Sequence, residues 1–223
     1  MKKLFHIAIL GLFPTLLLSA QLGEYVDIKK CDQVIDKQLY SICYSYKNKG
    51  AIAGWVRLDG KTVSTSNDIK KRPRFYEDNA IPQQYRTYHR DYKGTGDIWT
   101  RGHFVVGDAD VDFSEQSLEK AYSMANIIPQ AAPVNQKTWT KVENYGRMLA
   151  SKLGYINAIS IASYSNPNQK ISNNIVIPTT LYRIYYNNDA KFEKCFKYEN
   201  RVDIDYKNDK LRDHEVDCKT IKL

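Results

Sequence analysis

The sequence predicts an α+β fold: a mixed, mainly antiparallel sheet with flanking helices. Three observations predict it. Short runs of alternating β-formers, bounded by turn residues, recur over residues 40–58 and 156–186. One strong helical period occupies about residues 135–153. Strands and helices follow one another without the strand–helix alternation of a parallel sheet.

Residues 1–20 have the layout of a secretory signal peptide. Lys2 and Lys3 are positive, Leu4 to Leu18 is a nearly unbroken apolar run with Pro14 inside it, and Ser19-Ala20 precede Gln21. The apolar run is short for a membrane span, and no later stretch reaches the ~20 apolar residues a span needs. An uncleaved anchor is the other reading. We expect a single domain over 21–223 and an exported protein, periplasmic or extracellular. The formal net charge is +8, and cleavage after Ala20 removes two lysines and no acid. Excess positive charge favours polyanions, although solubility alone also accounts for it. Cys31, Cys43, Cys195 and Cys218 are an even set with three possible pairings. Cys31–Cys43 and Cys195–Cys218 are favoured, because each closes a local loop near one terminus. No CxxC or Cys/His cluster suggests zinc, so a catalytic metal would draw on oxygen and imidazole ligands.

Tyr40, Ile42 and Tyr44 alternate, Lys47 to Gly50 reads as a turn, and Ile52 to Leu58 reads as the return strand. Residues 59–97 are polar and long for a loop, and long loops often carry function. Trp99 to Val106 reads as a strand containing Arg101-Gly102-His103. Asp112 to Ala121 reads as a short helix with Asp112 and Glu115 as a capping pair. Val142, Tyr145, Leu149 and Leu153 give the helix of about 135–153 its buried face, and Gly154 ends it. Ile156 to Ala162 reads as a mostly buried strand. Asn173 to Ile177 and Leu181 to Tyr186 read as further strands, and Glu193 to Asp217 as a charged, solvated, disulfide-tethered tail.

Asn135, Trp139, Glu143 and Arg147 are spaced four apart, so they share one slowly spiralling helix face. On spacing alone a solvated polar face is the simpler reading. His103 has the imidazole that suits proton abstraction near neutral pH, yet a lone histidine on a strand is more often structural. The alternating Asp108, Asp110 and Asp112 read as a polar turn and helix cap rather than a calcium loop. Tyr85, Tyr88 and their basic neighbours suit base stacking, though half-buried loop tyrosines are commoner.

Taken together, Arg101-Gly102-His103, Asn126-Ile127-Ile128-Pro129-Gln130 and Asn135-x3-Trp139-x3-Glu143-x3-Arg147 resemble the DNA/RNA non-specific endonuclease family, the ββα-metal or His-Me finger nucleases. The resemblance extends over roughly residues 40–190, including Tyr44 to Leu58, Phe75 to Tyr92 and Ile177 to Ile184. It implies a ββα-metal catalytic core and metal-dependent cleavage of DNA, with RNA left open. It makes His103 the general base and Asn135 the protein ligand of Mg²⁺ or Mn²⁺. Glu143 and Asn126 would hold the metal's waters. Arg101 and Arg147 would contact phosphate or offset charge, with Arg72 or Arg74 as a further arginine. Thr100 departs from the family, which usually has aspartate there; Asp97 is a weak candidate to compensate. A non-catalytic exported polyanion-binding protein is the rival reading, and an envelope interaction module unrelated to nucleic acid a weaker one. Oligomeric state is open.

Overall fold

Alternation along the strands determines how the layers form. The computed structural model describes residues 22–64, 69, 71–221 and 223, so the signal-peptide expectation lies outside the described residues. The main-sheet strands are β1 (Gln33–Asp36), β2 (Tyr40–Ser45), β3 (Gly50–Asp59), β6 (Tyr155–Ser163), β7 (Thr180–Asn187), β8 (Phe192–Glu199) and β9 (Glu215–Val216). They form one antiparallel sheet in the order β1-β2-β3-β6-β7-β8-β9. A separate two-stranded ribbon pairs β4 (Trp99–His103) with β5 (Ile127–Ala131). The helices that matter are α1 (Asp108–Val111), α2 (Glu115–Ala121) and α3 (Trp139–Leu153).

Strand β6 shows how both faces of the sheet are covered. Ile156, Ala158 and Ala162 enter the main core with Trp139, Val142 and Leu149, under α3 and the β4–β5 ribbon. Ile159 and Ile161 point the other way, into a second core with Tyr25, Val26, Cys43, Cys195 and Ile221. The terminal segments therefore roof the back of the sheet. Leu223 N–H donates to Tyr25 O at 3.1 Å, and Tyr25 Oη donates to Glu193 at 2.6 Å. Both favoured disulfides form, and each ties a terminal segment to a central or outer strand.

That roof sets an expected result. The Cys195–Cys218 bridge closes a separation of 23 residues. Replacing both cysteines by alanine should cost about 3 kcal/mol through the freed unfolded chain. A urea titration unchanged from wild type would contradict it.

Four expectations need correcting. The helix expected over 112–121 starts only at Glu115, separate from α1, which ends at Val111, and Ser114, not Asp112, caps α2 by accepting from Ser117 N–H. The segment Asn173 to Ile177 is not a strand. Asn173 and Asn174 have φ of 58°, and the Asn173 amide donates to Arg86 O and Asp91, which holds a turn there. The expected solvated tail begins with β8, where Cys195, Phe196 and Tyr198 are buried while Lys197 and Glu199 face out. The strand expected to reach Val106 stops at His103. Beyond it Phe104 N–H bonds to Asn126 O, and Val105 N–H bonds to the Asn126 side chain.

Candidate active site

In β4 the pleat sends Thr100 and Gly102 to one side and Arg101 and His103 to the other. Register places Thr100 opposite Gln130 and Gly102 opposite Ile128. Gly102 is required by close approach: a Cβ there would lie 1.9 Å from Oε1 of the fully buried Gln130. Gly102→Ala should therefore cost about 1–3 kcal/mol by overpacking, read as a lowered melting temperature. An unchanged melting temperature would show that Gln130 yields freely.

Arg101 and His103 open into a cleft of about 760 Å³, which they share with Arg72, Arg74, Phe75, His89 and Tyr122. The His103 side chain is 17% exposed, 5.7 Å from the Phe75 ring and 5.2 Å from the Tyr122 ring. Burial pushes its pKa down to about 4; Asp110 opposes the shift and Arg72 reinforces it. The imidazole is thus neutral at pH 7 and free to take a proton. Both candidate arginines line this cleft, and Arg72 also pairs with Asp108.

Asn135 is not among the residues that line this cleft; it meets β4 at Thr100, from the start of the long helix. Asn135 lies in a π-helical turn, Val134–Thr138, that leads into α3, and such irregular turns are frequent at functional sites. Its Nδ2 donates to Thr100 Oγ1 at 2.9 Å, and the Thr100 hydroxyl donates onward to Gln130 O at 3.0 Å. Thr100 thereby orients the amide, whose Oδ1 accepts no hydrogen bond among the described residues. Asp97, by contrast, sits exposed at a turn with φ of 59° and does not join this group.

The four-spaced helix face is not a solvated one. Trp139 is fully buried against Tyr198. Glu143 lies under the loop after β4, close enough that a Cβ on Gly107 would meet its Oε1 at 3.1 Å. Burial raises the Glu143 carboxyl, Asp110 raises it further, and Arg183, Arg147 and the Trp139 indole pull it back. Arg147 donates to Asp110 at 2.7 Å, and Asp110 also accepts from Gly107 N–H at 2.9 Å.

Two placements depart from expectation. Asn126, expected at the metal's waters, is fully buried and its amide is committed to main chain: Val105 N–H, Val106 O and Ala121 O, at 2.9, 2.9 and 3.0 Å. It braces the loop that carries the chain from His103 to α1. Arg183 was not singled out, yet it is 1% exposed and donates to Val105 O and Ser160 Oγ. Its charge acts on both Asp110 and Glu143. The signal available was one guanidinium in the otherwise apolar and aromatic run Leu181 to Tyr186. Tyr85 stacks on Tyr46 at 4.2 Å and Tyr88 lies under Arg90, so both rings already have partners.

A profile of the DNA/RNA non-specific endonucleases matches residues 20–222. The chain belongs to that family. Among its relatives, human mitochondrial Endonuclease G is 28% identical over 118 residues, 52% of this chain and 38% of that protein. Nuclease C1 of Cunninghamella echinulata var. echinulata is 23% identical over 181 residues, 74% of this chain and 69% of that protein. The matched region spans less than half the length of the Endonuclease G and EXOG relatives. EndoG, solved in its complex with EndoGI, matches with a TM-score of 0.75 at 18% identity, covering 89% of this chain and 85% of that one. That likeness shows the fold of a non-specific endonuclease in this chain.

The donor chemistry fits a divalent cation, which this family generally requires. Mg²⁺ keeps several waters and needs few protein ligands. An amide oxygen on Asn135 that accepts no hydrogen bond among the described residues is a ligand of that kind.

Proposed function

We propose that the chain is an exported, metal-dependent endonuclease that hydrolyses phosphodiester bonds of DNA, and of RNA, with little sequence specificity. The observation that carries the reading is a neutral, largely buried imidazole that lines an arginine-rich cleft. Arg72, Arg74 and Arg101 supply charge for the phosphate backbone, which has no base identity to read. His103 takes the proton of the attacking water. Asn135 Oδ1 is the protein ligand for the cation, oriented by Thr100. A bound Mg²⁺ or Mn²⁺ would supply Lewis-acid stabilisation of the charge that builds at the scissile phosphate. Glu143 offers a carboxyl to hold the waters around that ion, and Arg147 keeps Asp110 and the adjoining loop in place. Two disulfides in a chain with an N-terminal secretory pattern support export.

Purified protein should convert supercoiled plasmid to fragments with Mg²⁺ or Mn²⁺, degrade RNA in parallel, and stop on EDTA addition. Salt-sensitive DNA binding with no cleavage under any divalent ion would instead establish the polyanion-binding reading. The pH profile carries its own sign. The base works when neutral, and burial holds His103 near 4. The acid limb of kcat/KM due to His103 should therefore fall well below the ordinary histidine value of about 6.5. An acid limb centred at that ordinary value would contradict the assignment.

A further inference from the structure

We propose that Asp108 is the positioning residue of the His103 base, holding the imidazole with its proton on Nε2 and its lone pair on Nδ1. This rests on His103 acting as the base. The spacing of Asp108, Asp110 and Asp112 suggested only a turn and a helix cap. The structure divides the three. Asp110 is consumed by Arg147 and Gly107 N–H. Asp108, in the first turn of α1, faces back toward β4.

The contact is specific at the level of atoms. His103 Nε2 lies 3.6 Å from Asp108 Oδ1. Both atoms are buried, and neither has a hydrogen-bond partner among the described residues. The separation exceeds a hydrogen bond, but catalytic contacts are commonly long before substrate arrives. The other carboxylate oxygen, Oδ2, is held from behind: Tyr122 Oη donates to it at 3.0 Å, and Arg72 pairs with it. Tyr122 and Phe75 also pack against the imidazole ring, which restricts its rotation.

Chemistry then sets the tautomer. A carboxylate accepts and never donates. A neutral imidazole has one proton and, facing that oxygen, keeps it on Nε2. The remaining lone pair is on Nδ1, so Nδ1 takes the proton from water. Arg72 and Tyr122 offset the carboxylate's charge, which lets Asp108 hold the ring without forcing it into the imidazolium form. A merely structural Asp108 would tie α1 to Arg72 and Tyr122 and leave the ring's proton distribution alone.

The test reads the ring directly. In metal-free protein labelled with ¹⁵N-histidine at pH 7, the His103 signals should show the proton on Nε2. Asp108→Asn presents an amide that can donate to Nε2. It should shift the proton toward Nδ1, lower kcat on DNA at least about 10²-fold, and leave KM within about threefold. Asp108→Ala should lose the fixed tautomer. A wild-type ring protonated on Nδ1, or an Asp108→Asn protein with unchanged tautomer and kcat, would overturn the proposal. The wild-type spectrum decides even if the variants fold poorly. If His103→Ala cleaves as fast as wild type, the base assignment falls, and with it the catalytic meaning of the contact; the ring signals still report whether Asp108 sets the tautomer.

Discussion

His103→Ala should lower kcat on DNA by about 10²–10⁴-fold while binding changes little. That range is what one well-placed general base contributes. KM should hold because the groups that grip the phosphate backbone, Arg72, Arg74 and Arg101, stay in the cleft. The fold should hold as well. His103 sits at the end of β4, its ring packs on Phe75 and Tyr122 and approaches Asp108, and its backbone pairs opposite Ile127 whatever its side chain. Removing a buried ring leaves a cavity, so a modest fall in melting temperature is expected, not loss of the native state. Single-turnover cleavage of plasmid at saturating Mg²⁺ measures the chemical step. Wild-type rates in this variant would remove His103 from the mechanism and leave the cleft as a binding surface.

The site was legible where its residues are also local pattern. Arg101 and His103 share a strand face because the pleat has period two, and Glu143 and Arg147 share a face of α3 because they are four apart. What spacing could not say is which way that helix face turns. Trp139 decides it: an indole buried against Tyr198 draws Glu143 and Arg147 inward with it. Asn126 was assigned to a water shell by position in a motif, but three main-chain groups around it lacked partners and its amide went to them. Two of those groups, Val105 N–H and Val106 O, belong to the loop 104–107, distant from Asn126 in sequence. The back of the sheet was illegible for a related reason. Charged residues dominate 192–217, and the burial of Cys195 between Lys194 and Lys197 arises only when the terminal segments exist to cover it. Thr100 is the reverse case. It looked like a loss, because a hydroxyl lacks an acid's charge. In three dimensions it relays a hydrogen bond from Asn135 to Gln130 O and so keeps the amide oriented.

Arg183→Met should be the most destabilising change near the site, about 3–5 kcal/mol, the usual cost of deleting one partner from a buried charge cluster. For a chain of this size that is roughly 6–20 °C in melting temperature. Three causes add. Val105 O loses its donor at 2.8 Å and Ser160 Oγ loses one at 2.6 Å, both in the interior. Tyr185 Oη loses the Nε contact at 3.1 Å. Glu143 loses a cation that favours its charged form. The last cause gives a pH signature. Glu143 is already raised in the folded state by burial, so folding is penalised once pH climbs above the unfolded carboxyl value and the folded group must ionise. Without Arg183 the folded value rises further, so the additional penalty is present at alkaline pH. At pH 4, near the unfolded value, little of it remains. Melting of the metal-free variant against wild type should accordingly show a larger deficit at pH 9 than at pH 4. Asp110→Asn in the Arg183→Met background should recover part of the alkaline loss, because it removes a neighbouring like charge from Glu143. A deficit of equal size at both pH values would mean that Arg183 acts only through its hydrogen bonds to Val105 and Ser160, and that the cluster beneath the long helix is not electrostatically joined.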